Sequence, residues 1–347
     1  MANSDNQINI GDSWKDMDSM QINIGDTWKD VSEAYINIGD DWKQFWAVVA
    51  TSARGIFFGG ETSTAVNVIE YITIDTNSNA TDFGDLTNSK FAGGGMDNGS
   101  NDRGIMMSGY TTTNVNEIDY ITISTASNST DFGNDILRRY LGGCSNSTNE
   151  RGLGIGGLAS SRIATINYIT INSTGNSTSF GNLTTATNVL VGVSNGTNER
   201  GISAGGQDSG GRTNTINYVT INSTGNATDF GNLTVARDGI AGVSNSTNER
   251  GVFAGGYSGG VVNTIDYITI NSTGNATDFG DLSAVRYQPK GVSNGTDEKG
   301  VFGGGMNSTF TKINIIEYIT INSTGNATDF GDLTQPKAAL ATCSNSD

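Results

Sequence analysis

The sequence predicts an all-β protein. It reads as a six-bladed β-propeller with four-stranded blades, closed by the C-terminal strand and preceded by a short module of β-hairpin repeats. Three observations predict this. The first is a period: Tyr71, Tyr120, Tyr168, Tyr218, Tyr267 and Tyr318 each open a Y-[IV]-T-I block, at separations of 49, 48, 50, 49 and 51 residues. Self-similarity at such a length marks blades or solenoid turns. The second is that each period holds four short β-type stretches divided by Gly- and Asn-rich turns, with no helical spacing of apolar residues. The third is a composition step: all four Trp, at 14, 28, 42 and 46, precede the Y-I-T-I region.

The N-terminal element comes first in the chain. It reads QINIGDSWKDMDSM, QINIGDTWKDVSEA, YINIGDDWKQFWAV, with Trp14, Trp28 and Trp42 spaced 14 apart and each followed by Lys. Gly-Asp between two β-type stretches is the chemistry of a tight hairpin. Three such hairpins are close to the size, about 40 residues, below which a chain seldom folds unaided. Residues 1–46 are therefore expected to anchor or oligomerise the protein through Trp14, Trp28, Trp42 and Trp46, with 47–53 as linker and 54–347 as propeller.

Residues 250–297 show one propeller unit. RGVFAGG is a short apolar run ended by a Gly pair, and NTIDYITIN is rich in β-branched and aromatic residues. STGN turns the chain, because Gly and Asn tolerate positive φ. ATDFGDL and KGVSN supply the other two strands. Ile265 and Tyr267 alternate with Ile268 and Ile270, so the Tyr strand is apolar on both faces, as in a sheet packed between neighbours. The first unit begins at RGIFFGG with no well-matched GVSN-type strand before it, and the last ends on such a strand, ALATCSNSD. Pairing the C-terminal strand with the first RG strand completes six blades and removes an exposed edge. The alternative is that AVVATS (47–52) supplies the missing strand.

Composition closes several function classes. There is no His, so His-based triads, bases and metal ligands are excluded. Two Cys cannot build a disulfide framework or a four-Cys zinc site. Cys144 and Cys343 fall at one unit position in non-adjacent copies, so they read as small buried hydrophobes rather than a disulfide. A net charge of −16 opposes nucleic-acid binding. No apolar run approaches a membrane span, and MANSDNQINIGD lacks the regions of a secretory signal. No DxDxDG loop appears, so no metal or cofactor is expected. NST, NAT and NGT triplets match the glycosylation acceptor but read here as turn chemistry. The S-x-D-x-G-x-x-W box of sialidase-like propellers is absent, and no enzyme is expected.

Two basic columns recur. Lys90, Arg138, Arg237, Arg286 and Lys337 precede the GVSN strand, with Thr187 the exception. They form either a ring of cations for an anionic glycan or ion pairs with carboxylates such as those of the DFGD segments. The second column opens each RG pair and reads as scaffold, because every copy has it. The copies also differ in a patterned way. The SNxTNERG and STGNATD turns are nearly fixed, whereas the loop after the Gly pair and the segment after DFGxL vary. Propeller topology puts both variable sets on one face, which is either a binding surface or unconstrained drift. Arg139, Tyr140, Arg162, Arg212, Tyr257, Tyr287, Phe310 and Lys312 are its candidate binding residues.

The Gly pairs (59–60, 156–157, 205–206, 255–256, 304–305), the Tyr strand and the following aromatic and basic residues resemble kelch repeats, with Phe where kelch units carry Trp and with Ser108-Gly109 departing from the pair. That resemblance implies architecture, not activity. Tandem INIGDxWK units resemble N-terminal repeats of tailed-bacteriophage fibre and other virion proteins, and Y-I-T-I with T-D-F-G resembles structural proteins of aquatic phages. The resemblance implies a virion protein, a tail fibre or appendage. It would be anchored to other virion proteins through residues 1–46, homo-oligomeric, and would display the propeller to a host-surface glycan or receptor. A capsid decoration protein and a polysaccharide-degrading enzyme are the alternatives.

Overall fold

A computed structural model describes strands at 7–10, 13–16, 21–24, 27–30, 33–38 and 41–47, and the propeller at 53–99, 102–146, 151–195, 200–245, 250–294 and 298–345. The chain divides into two compact units, Met1–Thr51 and Ser52–Asp347. The first contains three antiparallel hairpins: Gln7–Ile10 with Ser13–Asp16, Gln21–Ile24 with Thr27–Asp30, and Glu33–Ile38 with Asp41–Ala47. Trp14, Trp28, Trp42 and Trp46 lie on the second strands, and their side chains fall outside the described residues, as do the Gly-Asp turns.

The second unit is a ring of six four-stranded antiparallel blades. The first blade joins Ala341–Ser344, Arg54–Phe58, Val68–Thr73 and Thr81–Asp85, from the axis outward. The second runs Gly94–Asp97, Arg103–Tyr110, Asn114–Thr122 and Thr130–Asn134. The remaining inner strands are Gly142–Ser145, Val191–Ser194, Ala241–Ser244 and Lys290–Ser293. Ala341–Ser344 pairs with Arg54–Phe58, so the C-terminal strand closes the ring and AVVATS is not the missing strand. Among the described residues no helix is long and apolar enough to cross a membrane.

The core is a circuit of six interfaces. Each apolar cluster draws on two adjacent blades; for example, Phe230 and Leu233 of the fourth pack with Phe253, Ile268 and Ile270 of the fifth. The Phe of each DFG segment enters this core because the outer strand carries a bulge there: Ile69 faces Gly84 but Glu70 faces Asp82. The extra residue, Phe83, is 3% exposed and meets Tyr71 edge to face at 6.0 Å.

The constant motifs are spent between blades. Arg103 stacks over Tyr120 at 4.5 Å and donates from Nη1 to the Ile171 carbonyl of the next blade at 2.9 Å. Arg54, Arg151, Arg200 and Arg250 repeat this, and Lys299 substitutes an ammonium over Tyr318. The turn Asn of each NAT-type triplet accepts from a neighbouring outer strand, as Asn226 Oδ1 does from the Asn182 amide at 3.0 Å. At the axis the inner strands touch in a closed circuit. A Cβ at Gly143 would strike the carbonyl of Gly95, and one at Gly192 the carbonyl of Gly143. The sixth position of this ring is Thr342, whose hydroxyl donates to the Gly291 carbonyl at 2.7 Å.

Candidate functional site

Two groups of residues stood out as candidates: the basic column before the inner strands, and the variable face. The basic column is internal. Lys90, Arg138, Arg237, Arg286 and Lys337 are 0% exposed, and each meets a carboxylate at 2.6–3.1 Å. The partners are not the DFGD acids. They are Asp119, Asp266, Glu317 and Glu70, each directly before the Tyr of its blade, plus Asp135. Asp82 of the first DFGD segment is exposed, whereas the acid before Tyr faces inward where a long cation can reach it. Burial lowers the Arg237 and Arg286 pKa values, and Asp266 and Glu317 oppose that shift. The one blade without a cation carries Thr187, and its acid position is the neutral Asn217. Charge is thus matched blade by blade, and these five cations do not form a free ring around a mouth.

The variable face is built from two loops per blade that pair with each other. Each loop after the second strand turns back on itself, as in Leu158↔Arg162 and Tyr257↔Val261. Its first residue also bridges the segment leading into its own blade, as in Arg139↔Leu158, Asp238↔Tyr257 and Tyr287↔Met306. The chain then reverses towards the axis through one residue of positive φ: Ala92, Tyr140, Val189, Gly239, Gln288 or Ala339. Their amides reach around the mouth from blade to blade, as Tyr140 N–H does to Ala92 O at 2.6 Å and Gln288 N–H to Gly239 O at 2.8 Å. These loops are therefore fixed by backbone bonds, and their side chains are free to differ.

Four of the eight candidates meet across the fourth, fifth and sixth blades. The rings of Tyr257, Tyr287 and Phe310 are mutually 5.9–6.0 Å apart. Arg212 lies 4.2 Å above Tyr257 and its Nε is 3.2 Å from Asp238. Gln207 donates to the same carboxylate at 2.6 Å, and Arg162 donates to Gln207 at 3.1 Å and Asn188 at 3.1 Å. Burial raises the Asp238 pKa, against hydrogen bonds from Gln207 and Tyr287 and the charge of Arg212. Tyr287 lies over Gly239, where any Cβ would collide with its ring. Phe310 is 52% exposed at φ +57°, in a turn held by the Asn307 side chain.

The other candidates stand apart. Arg139 lies 4.3 Å over Tyr110 and 5.7 Å from Tyr140, and donates to Asn114 at 3.0 Å. Lys312 pairs with Glu61 at 3.5 Å. The Gln288 side chain lies near both Tyr140 and Tyr287. Burial raises the pKa of both tyrosines. Sequence reasoning missed Tyr110, Gln207, Asp238 and Gln288. Asp238 was legible in principle, because it occupies the unit position of Arg139 and Tyr287.

Among the described residues no group of three or more Cys, Asp or Glu is placed to hold a metal ion. Both Cys are free and buried; burial pushes the Cys144 thiol up to about 12. No protein-family model matches the chain, and a search of curated proteins finds no match.

Proposed function

We propose that this protein is a recognition and display protein. Its propeller presents the variable face to a surface glycan or protein, residues 1–46 attach it to a larger assembly, and no catalytic residue is assigned. The observation that carries this reading is the division of labour among the repeats. The repeated cations, Arg-Tyr stacks and turn Asn side chains are consumed in holding blades together. The blade-specific aromatic and cationic residues instead gather on one face, with Tyr257, Tyr287, Phe310 and Arg212 contributed by three different blades. Aromatic rings beside Arg and amide groups suit the C–H faces and hydroxyls of a saccharide. The resemblance of both repeat regions favours a tailed-phage virion, as a tail fibre or appendage, for the assembly.

The test is a glycan and host-surface binding panel with the full chain and with Tyr257→Ala and Phe310→Ala. A bound surface component with at least tenfold weaker binding by both variants supports the reading. Absence of binding, with host adsorption unaffected by the substitutions, favours a purely architectural virion protein. Oligosaccharide released from host capsule makes it an enzyme. Immunogold labelling of particles checks the location separately.

A further inference from the structure

Five cations in the propeller interior follow one rule: each is 0% exposed and each has a carboxylate within 3.1 Å. Lys290 breaks it. It opens the sixth inner strand, at the position held elsewhere by Gly94, Gly142, Val191, Ala241 and Ala341. Lys290 is also only partly buried, no carboxylate among the described residues pairs with it, and desolvation pushes its ammonium down to about 8.

Lys290 lines two adjoining cavities on the propeller axis. The smaller lies beneath the mouth, between Lys290, Tyr140, Gln288 and the reversed segments. The larger is open to solvent, offers about 120 Å³ and follows the inner strands down to Asp97 and the serines that end the other five. One water needs roughly 10–15 Å³ of such space. The larger cavity therefore has room for a tetrahedral anion with attendant water.

We infer that this axial cavity is an anion site, in which Lys290 holds a small oxyanion: a sulfate, a phosphate or a carboxylate. An ammonium facing a confined axial cavity attracts an opposite charge into it more strongly than one in bulk water does. The protein supplies one for each of the other five cations, so here the counter-charge comes from solution. Asp97 is the acid in the larger cavity, and its oxygens accept from the Gly99 and Ser344 amides at 3.2 Å. It stands at the far end of the inner strands and directs an anion towards Lys290. Cys144 and Cys343 line the cavity as neutral thiols. This inference does not depend on what the variable face recognises.

Calorimetric titration of the full chain with sulfate, phosphate and acetate at pH 7 tests it. At least one should bind saturably, with the tetrahedral and carboxylate arms separating the two ligand shapes. Lys290→Met should weaken binding at least tenfold, while Lys290→Arg retains it. Sulfate does not titrate in this range, so its affinity should fall about tenfold per pH unit above 8 as Lys290 loses its proton. Near-UV circular dichroism shows whether each variant is folded. No saturable binding up to about 100 mM, or equal binding by folded Lys290→Met, overturns the assignment.

Discussion

The buried pair Arg237–Asp266 gives the sharpest test of how the ring is held together. Arg237 is fully buried, donates to Asp266 at 2.9 Å and also reaches the carbonyls of Gly255, Thr264 and Phe253 at 2.7–3.1 Å. Arg237→Thr strands a buried carboxylate and Asp266→Asn strands a buried guanidinium, and losing one partner of such a pair costs about 3–5 kcal/mol. The double substitution reproduces the fourth blade, where Thr187 and Asn217 occupy these positions. There the Thr184 hydroxyl donates to Asn217 at 2.6 Å, as Thr234 does to Asp266 at 2.6 Å. The double variant has no stranded charge, but it loses the donor to three carbonyls. Its cost should be about 1–3 kcal/mol, below either single, with a coupling of roughly 3 kcal/mol or more. Urea unfolding followed by tyrosine near-UV circular dichroism measures this as midpoint shifts at constant slope. A double variant less stable than both singles would refute the charge-matching argument.

Three further outcomes follow from the same geometry. Gly192→Ala drives a methyl into the Gly143 carbonyl and should cost about 2–3 kcal/mol, the upper part of the overpacking range. Gly225→Ala, with open space around it, should cost under about 1 kcal/mol, and equal midpoints for the two would remove the close-packed axis. The Asp135 carboxyl is raised by burial but lowered more by Arg138 and by hydrogen bonds from Ser177, Arg138 and Asn167, so its folded pKa lies below 3.8. Its stabilisation is present above that pH and is lost as pH falls through the lower folded value; Asp135→Asn should flatten stability in that acidic window, as pH-dependent urea midpoints would show. Cys144 and Cys343 should resist thiol reagents until urea unfolds the chain, and rapid labelling of the native protein would contradict their burial.

The blades were legible in the sequence because a blade's packing repeats with its residues. Tyr71 and Phe83 lie twelve positions apart and meet edge to face, and the equivalent pairs meet in every other blade. Closure was legible because a half-unit stood at each end, and Cys343 does pair with Ile56. The ion-pair partners were harder to see. Glu70 and Asp266 sit inside the Tyr strand, where an acid between apolar residues resembles a solvent-facing position of an alternating strand. Only the packing of blade on blade shows that both faces are buried. Gln288 was missed for another reason: its role depends on which loop of the neighbouring blade lies beside it, and no period in one chain encodes that.

Departures from the repeat differ in kind, and the difference says which residues remain available to a ligand. Between the second and third blades the connection is one residue shorter, Ser108 replaces a Gly at φ +57°, and Asp135 stands where other units carry Leu. These changes close on one another: Ser108, Arg138, Asn167 and Ser177 all bond to Asp135. Most of the variable face closes in the same way, since Asp238 holds Arg212 and Gln207, and Gln207 holds Arg162. Phe310 does not. Its ring is half exposed while its backbone keeps a left-handed φ of +57°, a conformation costing a bulky L-residue about 1–2 kcal/mol relative to Gly. Phe310→Gly should therefore keep or slightly raise the unfolding midpoint, because the relieved φ offsets the lost contacts with Tyr257 and Tyr287. The same substitution should weaken binding at the variable face at least tenfold. A variant destabilised by more than about 2 kcal/mol would make Phe310 part of the scaffold, on the scale that separates named structural defects from surface changes. A stable variant with unchanged ligand binding would place recognition elsewhere on the face, at Arg139 and Tyr140.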